Sequence, residues 1–184
     1  MTKKLNINDI IRTTTDFEDE KTRPLFNLTP TIKKQGYLTK DQAIKILKWK
    51  SPRPLNHYNK NSDDDFKQIT KLAFEQKDEK VKIHILTALI GVKYPAASAL
   101  LMFYDQKKYP IIDIRVWRQL HNNGLVKDNA KGQAFTLEQW NKYLTVIRQL
   151  AEENKLTARQ VEKRLFDHDR KTQSGTLYKT YKTK

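Results

Sequence analysis

Three times the chain writes the same helix-start signal: Thr39-Lys40-Asp41-Gln42, Thr136-Leu137-Glu138-Gln139 and Thr157-Ala158-Arg159-Gln160. A threonine followed three residues later by glutamine satisfies two of the orphan N–H groups at a helix start, each side chain capping the other's backbone. Apolar residues at helical spacing follow each signal, as Ala43, Ile44 and Leu47 do after the first. The signals predict helices from Thr39 to about Trp49, from Thr136 to about Glu153 and from Thr157 to about Asp167. Ser62 or Asp63 can cap another helix through Phe66, Ile69, Leu72 and Ala73, with three aspartates at its positive end. Asp78 opens the next, with Val81, Ile85, Ala88 and Leu89 at helical spacing, and the uniformly apolar or small run Ala96 to Tyr104 suits a buried helix. No two alternating β-branched runs are joined by a hairpin turn. The fold class expected is all-α.

The remaining segments are shorter or less regular. Leu5, Ile7, Ile10 and Ile11 suggest a short amphipathic helix over residues 5–12. Thr13 to Gly36 mixes charges with Pro24 and Pro30 and reads mostly as loop, and Pro52 and Pro54 make Ser51 to Asn61 irregular. Asp113 to His121 reads as a short helix ended around Asn122-Asn123-Gly124. The expectation is a single domain over 1–170, large enough for a real core. A flexible basic tail is expected over 171–184, its tyrosines free to pack back or to stack on bases.

Charge narrows the partners. Thirty-six Lys and Arg stand against 21 Asp and Glu, a formal net charge of +15. A polyanion is then the default partner, because each neutralised phosphate releases condensed counterions; a lysine-rich solvated surface is the plainer reading of any single lysine. There is no cysteine, so disulfides, thiolate catalysis and cysteine-ligated zinc or iron–sulfur clusters are excluded. His57, His84, His121 and His168 have no metal-ligand spacing, so no metal site is expected. The start has no signal-peptide core and no apolar run is long enough to span a bilayer. The expected setting is intracellular and cytoplasmic, nucleoid-associated if the source is bacterial.

The stretch from Leu89 to Leu120 carries the chemistry. An apolar helix runs into a tight turn at Gly91, and a small-residue helix starts near Pro95. A hairpin between two helices presents backbone N–H groups that suit a phosphate. Asp113 then stands at the mouth of another helix bearing Arg115, Trp117 and Arg118. Taken alone, an aspartate there is an ordinary cap.

These residues resemble the helix-hairpin-helix DNA glycosylase superfamily, the group of endonuclease III. Leu89-Ile90-Gly91-Val92-Lys93-Tyr94-Pro95-Ala96-Ala97 falls on the family hairpin, roughly Leu-Pro-Gly-Val-Gly-x-x-Thr-Ala, and Ile112-Asp113-Ile114-Arg115-Val116-Trp117-Arg118 falls on its catalytic-aspartate block. Bifunctional members carry a lysine nucleophile 18 positions before the aspartate; here that position is Pro95. The resemblance, confined to residues 89–118, therefore implies a helix-hairpin-helix glycosylase fold and a monofunctional enzyme that uses water rather than an amine, unless another lysine such as Lys93 substitutes. It implies no iron–sulfur cluster and no required cofactor, though hairpin carbonyls can hold a monovalent cation. Lys93 replaces the second hairpin glycine, and lysine tolerates positive φ poorly.

On that reading Asp113 stabilises the oxocarbenium-like sugar and orients water, and Gly91, Val92, Lys93 and Tyr94 grip phosphates of double-stranded DNA. Lys107, Lys108, Arg115 and Arg118 are candidates for further DNA contact, although Arg118 could pair with an acid and the two lysines could be a solvated turn. Trp49, Arg53, Asn56, His57 and Tyr58 combine stacking faces and polar groups suited to a base pocket or a wedge; a surface loop anchored by Trp49 and Leu55 is the plainer alternative. Trp117 and Trp140 read as core aromatics. A monomer is expected. The rival readings are a helix-hairpin-helix DNA-binding protein without catalysis and a basic RNA-associated helical protein.

Overall fold

The computed structural model describes residues 6–174 and residue 177, and every regular element among them is helical. In chain order these are α1 (Ile7–Thr13), a 3-10 helix (Arg23–Leu28), α2 (Thr29–Gln35), α3 (Lys40–Lys50), α4 (Leu55–Tyr58), α5 (Asp63–Glu75), α6 (Glu79–Leu86), α7 (Tyr94–Tyr104), α8 (Ile114–Asn122), α9 (Leu137–Asn154) and α10 (Ala158–Thr172). All three Thr-x-x-Gln signals form complete capping boxes at the starts of α3, α9 and α10. A fourth box, Ser62 with Asp65, opens α5. No described helix is long and apolar enough to cross a membrane.

α7 is the buried strut of the fold. Every residue from Ala96 to Phe103 is buried, and the helix packs against α2, α3, α6 and the 3-10 helix. Its small first turns let neighbours approach closely, while Leu100, Leu101, Met102 and Phe103 fill the core. α10 closes another side of the molecule against α1, α8 and α9. Trp117 and Trp140 are fully buried, as core aromatics should be.

Three segments differ from their sequence reading. Thr13 to Gly36, expected mostly as loop, contains the 3-10 helix and α2. Pro24 and Pro30 lie in the first turns of these two helices, where a missing N–H costs nothing and a fixed φ favours entry. The segment 51–61 holds the single-turn α4 behind Pro54. α10 continues to Thr172, so the boundary expected at 170 falls inside a helix. Gln173 accepts a hydrogen bond from Arg115 at 3.1 Å; the tyrosines of the expected tail, and Leu5, lie outside the described residues. Leu72 and Val81, on the apolar spacing of α5 and α6, are exposed, because the buried faces centre on Phe66, Thr70 and Ala73 in α5 and on Lys82, Ile83 and Leu86 in α6.

Candidate functional site

Asp113 is the N-cap of α8. Its backbone is extended, and its Oδ1 accepts the Arg115 N–H at 3.0 Å. The other oxygen, Oδ2, accepts from Lys50 Nζ at 2.8 Å, and the two side chains are 16% and 15% exposed. Burial pushes the Asp113 carboxyl up, but the Lys50 charge and hydrogen bond, with the Arg115 N–H, outweigh it and hold the group below the usual carboxylate range. Asp113 is therefore a carboxylate at neutral pH.

The backbone that delivers Asp113 is pinned along α7. After the turn at 105–108 the chain runs back beside the helix, where Tyr143 Oη donates to the Ile111 carbonyl at 2.8 Å. The Ile112 N–H donates to Ser98 Oγ at 3.1 Å, and that hydroxyl donates in turn to the Pro95 carbonyl at 2.9 Å. Asp113 and the hairpin thus belong to the same end of α7, with Pro95 between them.

The hairpin between α6 and α7 has one residue at positive φ, Gly91 at +85°. A Cβ there would lie 2.7 Å from His57 Cβ and 3.2 Å from the Tyr58 ring. Lys93, in place of the second family glycine, has φ −112° as the α7 N-cap, so it carries no left-handed strain. Among the described residues no hydrogen bond takes up the N–H of Gly91, Lys93 or Tyr94; these donors stand at a helix start, where an anion is favoured. Lys93 is exposed and Val92 buried.

The segment 49–61 joins hairpin and acid. At one end Trp49 and Lys50 line a cavity of about 280 Å³ together with Asp113 and Ile111. At the other end Asn61, which is buried, clamps the hairpin: its Oδ1 accepts the Ile90 N–H at 2.8 Å and its Nδ2 donates to the Ile90 carbonyl at 3.1 Å. Of the five base-pocket candidates, Trp49 reaches the cavity, its Nε1 donating to Thr22 Oγ1 at 3.0 Å and its ring edge-on to Phe103. Tyr58 is buried beneath Gly91, and exposed His57 packs against the same glycine. Arg53 and Asn56 are exposed, and none of these four lines the cavity.

Its remaining wall was not anticipated. α10 contributes Arg159, Glu162, Lys163, Phe166 and Arg170, and the segment before the 3-10 helix contributes Asp19 and Thr22. Arg159, Glu162 and Lys163 are buried, which charged side chains tolerate only when paired. Arg159 binds Glu18 through two hydrogen bonds, at 2.7 and 2.9 Å, and also pairs with Glu162; Lys163 pairs with Asp167. Burial pushes the Glu162 carboxyl up against the opposing pull of Arg159. Arg159 and Glu162 stand at helical spacing, as do Lys163 and Asp167. That pattern marks ion pairs on α10 but not the face they occupy. Lys50 was missed as well, since nothing in local spacing links it to Asp113.

The further DNA-contact candidates scatter. Lys107 and Lys108 occupy the turn beyond the other end of α7, about 16 Å of helix away from the hairpin. Their side chains are exposed, and their carbonyls accept from Ala158 N–H and Arg148 Nε. Arg115 faces inward, pairing with Asp169 at 2.9 Å and lying over the Phe166 ring. Arg118 is half-buried and makes no ion pair among the described residues.

No family model matches the chain, and no solved structure matches it. Part of it is similar to the tRNA uridine 5-carboxymethylaminomethyl modification enzymes MnmG of Mycoplasma mycoides subsp. mycoides SC and Mycoplasma capricolum subsp. capricolum, each 28% identical over 120 residues. That similarity takes in 60% of this chain but 18% of either enzyme, so the chain spans under a fifth of the length of the curated relatives it matches.

Proposed function

We propose that the chain is a helix-hairpin-helix DNA glycosylase that removes a damaged, mismatched or modified base by hydrolysis, the opening step of base excision repair. One observation carries the reading: a carboxylate kept ionised inside a cavity shares one end of α7 with a hairpin of unsatisfied amides. Breaking an N-glycosidic bond leaves positive charge on the sugar, and a fixed anion stabilises that charge as it develops. Asp113 supplies the anion, and the free lone pairs of its two oxygens can orient the attacking water.

To bring the bond there, a nucleotide is turned out of the duplex at a cost of a few kcal/mol. The N–H groups of Gly91, Lys93 and Tyr94, with the Lys93 ammonium, hold flanking phosphates in this reading. The Gly91 and Val92 carbonyls accept no hydrogen bond among the described residues, so they fit as ligands of a monovalent cation that shares the phosphate's charge. Trp49 and Phe166 offer the cavity its aromatic surfaces. The enzyme acts as a monomer on double-stranded DNA.

The test is a panel of duplexes carrying single deaminated, oxidised, alkylated or mismatched bases. Release of one class of base is expected, falling at least about 100-fold in Asp113→Asn with duplex binding retained. Undiminished release by Asp113→Asn would remove Asp113 from the reaction. Salt-dependent binding with no release from any duplex would favour a helix-hairpin-helix DNA-binding protein without catalysis.

A second reading draws on the two partial relatives, which modify tRNA, and on the net charge of +15: a basic helical protein that associates with RNA. It predicts tRNA binding that excess duplex DNA does not displace, and no base release.

A further inference from the structure

We propose that the arginines of α10 form a second phosphate-binding surface, occupied in the free chain by an acidic strap, residues 14–20, that a nucleic acid backbone displaces. The partner rests on the nucleic-acid reading above; the strap rests on its own composition and bonds. In a chain of formal net charge +15, four of the 21 carboxylates, Asp16, Glu18, Asp19 and Glu20, fall within five residues, and no Lys or Arg stands between Arg12 and Lys21. Two of the four lie on α10. Glu18 takes the fork of Arg159 with both oxygens, at 2.7 Å from Nε and 2.9 Å from Nη2, and Asp16 meets Arg164 Nη2 at 3.2 Å. A guanidinium fork fits a carboxylate and a phosphate alike, so the strap sits where a phosphodiester would. Asp16 fills its place poorly: Arg164 Nε is buried without an acceptor among the described residues.

Little else fastens the strap. Thr15 to Glu18 make no main-chain hydrogen bond among the described residues. Phe17 is 68% exposed, with the Arg23 guanidinium over its ring instead of a place in the core. The two ends, by contrast, are fixed. The Thr14 N–H closes α1 on the Ile10 carbonyl at 3.0 Å. Asp19 turns back on Thr22, accepting its N–H at 2.9 Å and its hydroxyl at 2.7 Å, and buried Thr22 in turn accepts from Trp49. Lifting the strap strands neither arginine, because Arg159 keeps Glu162 and Arg164 keeps the Ile11 carbonyl. One anion replaces another on the same donors, and no covalent bond changes. Arg159 and Arg170 line the Asp113 cavity, as do Asp19 and Thr22 at the strap's fixed end, so the uncovered surface adjoins that cavity. The strap therefore sets the apparent affinity, which is the intrinsic affinity reduced by the fraction of chains whose strap is lifted.

The test compares two neutralised carboxylates two positions apart in the full chain. Glu18→Gln weakens the hold on Arg159, whereas Glu20→Gln removes the same charge from a side chain with no ion pair among the described residues. Titrated with a short DNA duplex, Glu18→Gln is expected to bind about 5-fold tighter than the wild type and Glu20→Gln less than about 2-fold tighter. Equal gains in the two variants would reduce the effect to net charge and overturn the proposal, as would no gain in Glu18→Gln. A second measurement leaves the ion pairs intact. The chain has no cysteine, so Phe17→Cys carries a single nitroxide on the strap, and its spectrum should narrow when duplex saturates the protein. An unchanged or broadened spectrum overturns displacement. The same titrations with tRNA separate the two sources of phosphodiester: a Glu18→Gln gain with one nucleic acid alone assigns the surface to that one. Base release from the lesion panel is scored on the same preparations. Release without any strap effect leaves the glycosylase reading standing and overturns the strap; a strap effect without release does the reverse. Binding of neither nucleic acid by any of these chains overturns both.

Discussion

Lys50 Nζ stands 2.8 Å from Asp113 Oδ2, although 63 positions separate the two residues in the chain. The pair fixes the sign of one pH effect. With the Asp113 carboxyl below its ordinary value in the folded state, the unfolded chain binds its proton first as pH falls. The stabilising contribution is present above the ordinary carboxylate range and is lost as pH drops through the folded value. Lys50→Met leaves the carboxylate with the Arg115 N–H alone. It is expected to cost about 2 kcal/mol at pH 7 and to move the acid-unfolding midpoint to higher pH. Circular dichroism from pH 7 to 2 reads both; an unchanged midpoint would mean that the pair contributes nothing to stability.

Asn61 holds Ile90 through both its N–H and its carbonyl. Asn61→Leu removes these two hydrogen bonds and a third, to the Tyr58 carbonyl at 2.9 Å, and strands groups they satisfied, an expected loss of about 2–3 kcal/mol in urea unfolding. Native-state hydrogen exchange at the Ile90 amide should accelerate in the variant more than exchange in α9.

Two glycines separate conformation from packing. Gly91 and Gly124 both have positive φ, +85° and +75°, but a Cβ at Gly91 meets His57 at 2.7 Å while one at Gly124 meets nothing within 4 Å. Gly124→Ala is expected to cost only the left-handed backbone penalty, about 1 kcal/mol. Gly91→Ala should cost clearly more, because His57 or the hairpin must shift, and, if the hairpin grips DNA, it should weaken duplex binding as well. Equal melting temperatures for the two variants would contradict the packing argument.

Lys93 and the pair Lys107-Lys108 lie beyond opposite ends of α7. If the hairpin grips DNA, Lys93→Ala lowers the magnitude of the slope of log affinity against log salt by about 0.9, one phosphate's share. Lys107→Ala, on the far turn, should leave the slope unchanged. Fluorescence anisotropy across a salt series distinguishes them.

Lys82 is buried and donates to the last carbonyls of α5, those of Ala73 and Phe74, at 3.3 and 3.0 Å. Burial pushes its ammonium below the ordinary lysine value. The unfolded chain therefore holds more protons between the folded and unfolded values, and stability from this group rises with pH through that window. Lys82→Met should flatten the rise in melting temperature on approaching pH 10, at the cost of the hydrogen bond to the Phe74 carbonyl, while the Ala73 carbonyl keeps the Gln76 N–H.

Much of the helical framework was legible because it is written locally. A threonine and a glutamine three residues apart need nothing from the rest of the chain to cap α3, α9 or α10, and the small apolar run of α7 is buried wherever it packs. Pro24 and Pro30 misled because a proline breaks a helix interior but suits its first turn, and one residue type carries both meanings. The place of Asp113 at the start of α8 could be read for the same local reason. Its cation could not, because Lys50 reaches it only after α3 and the segment beside α7 have packed. The α10 wall stayed hidden for a related reason: Arg159, Glu162 and Lys163 look like a solvated face until the fold turns that face inward.

Ser98 is one hydroxyl with two obligations, giving its hydrogen to Pro95 and receiving that of Ile112. It works as a crossbar between the helix that begins at the hairpin and the peptide entering Asp113. The spacing between hairpin and acid is therefore set by the first turn of a buried helix, not by the lengths of the loops on either side. The turn at 105–108 can therefore lengthen without altering that spacing, provided the crossbar stays.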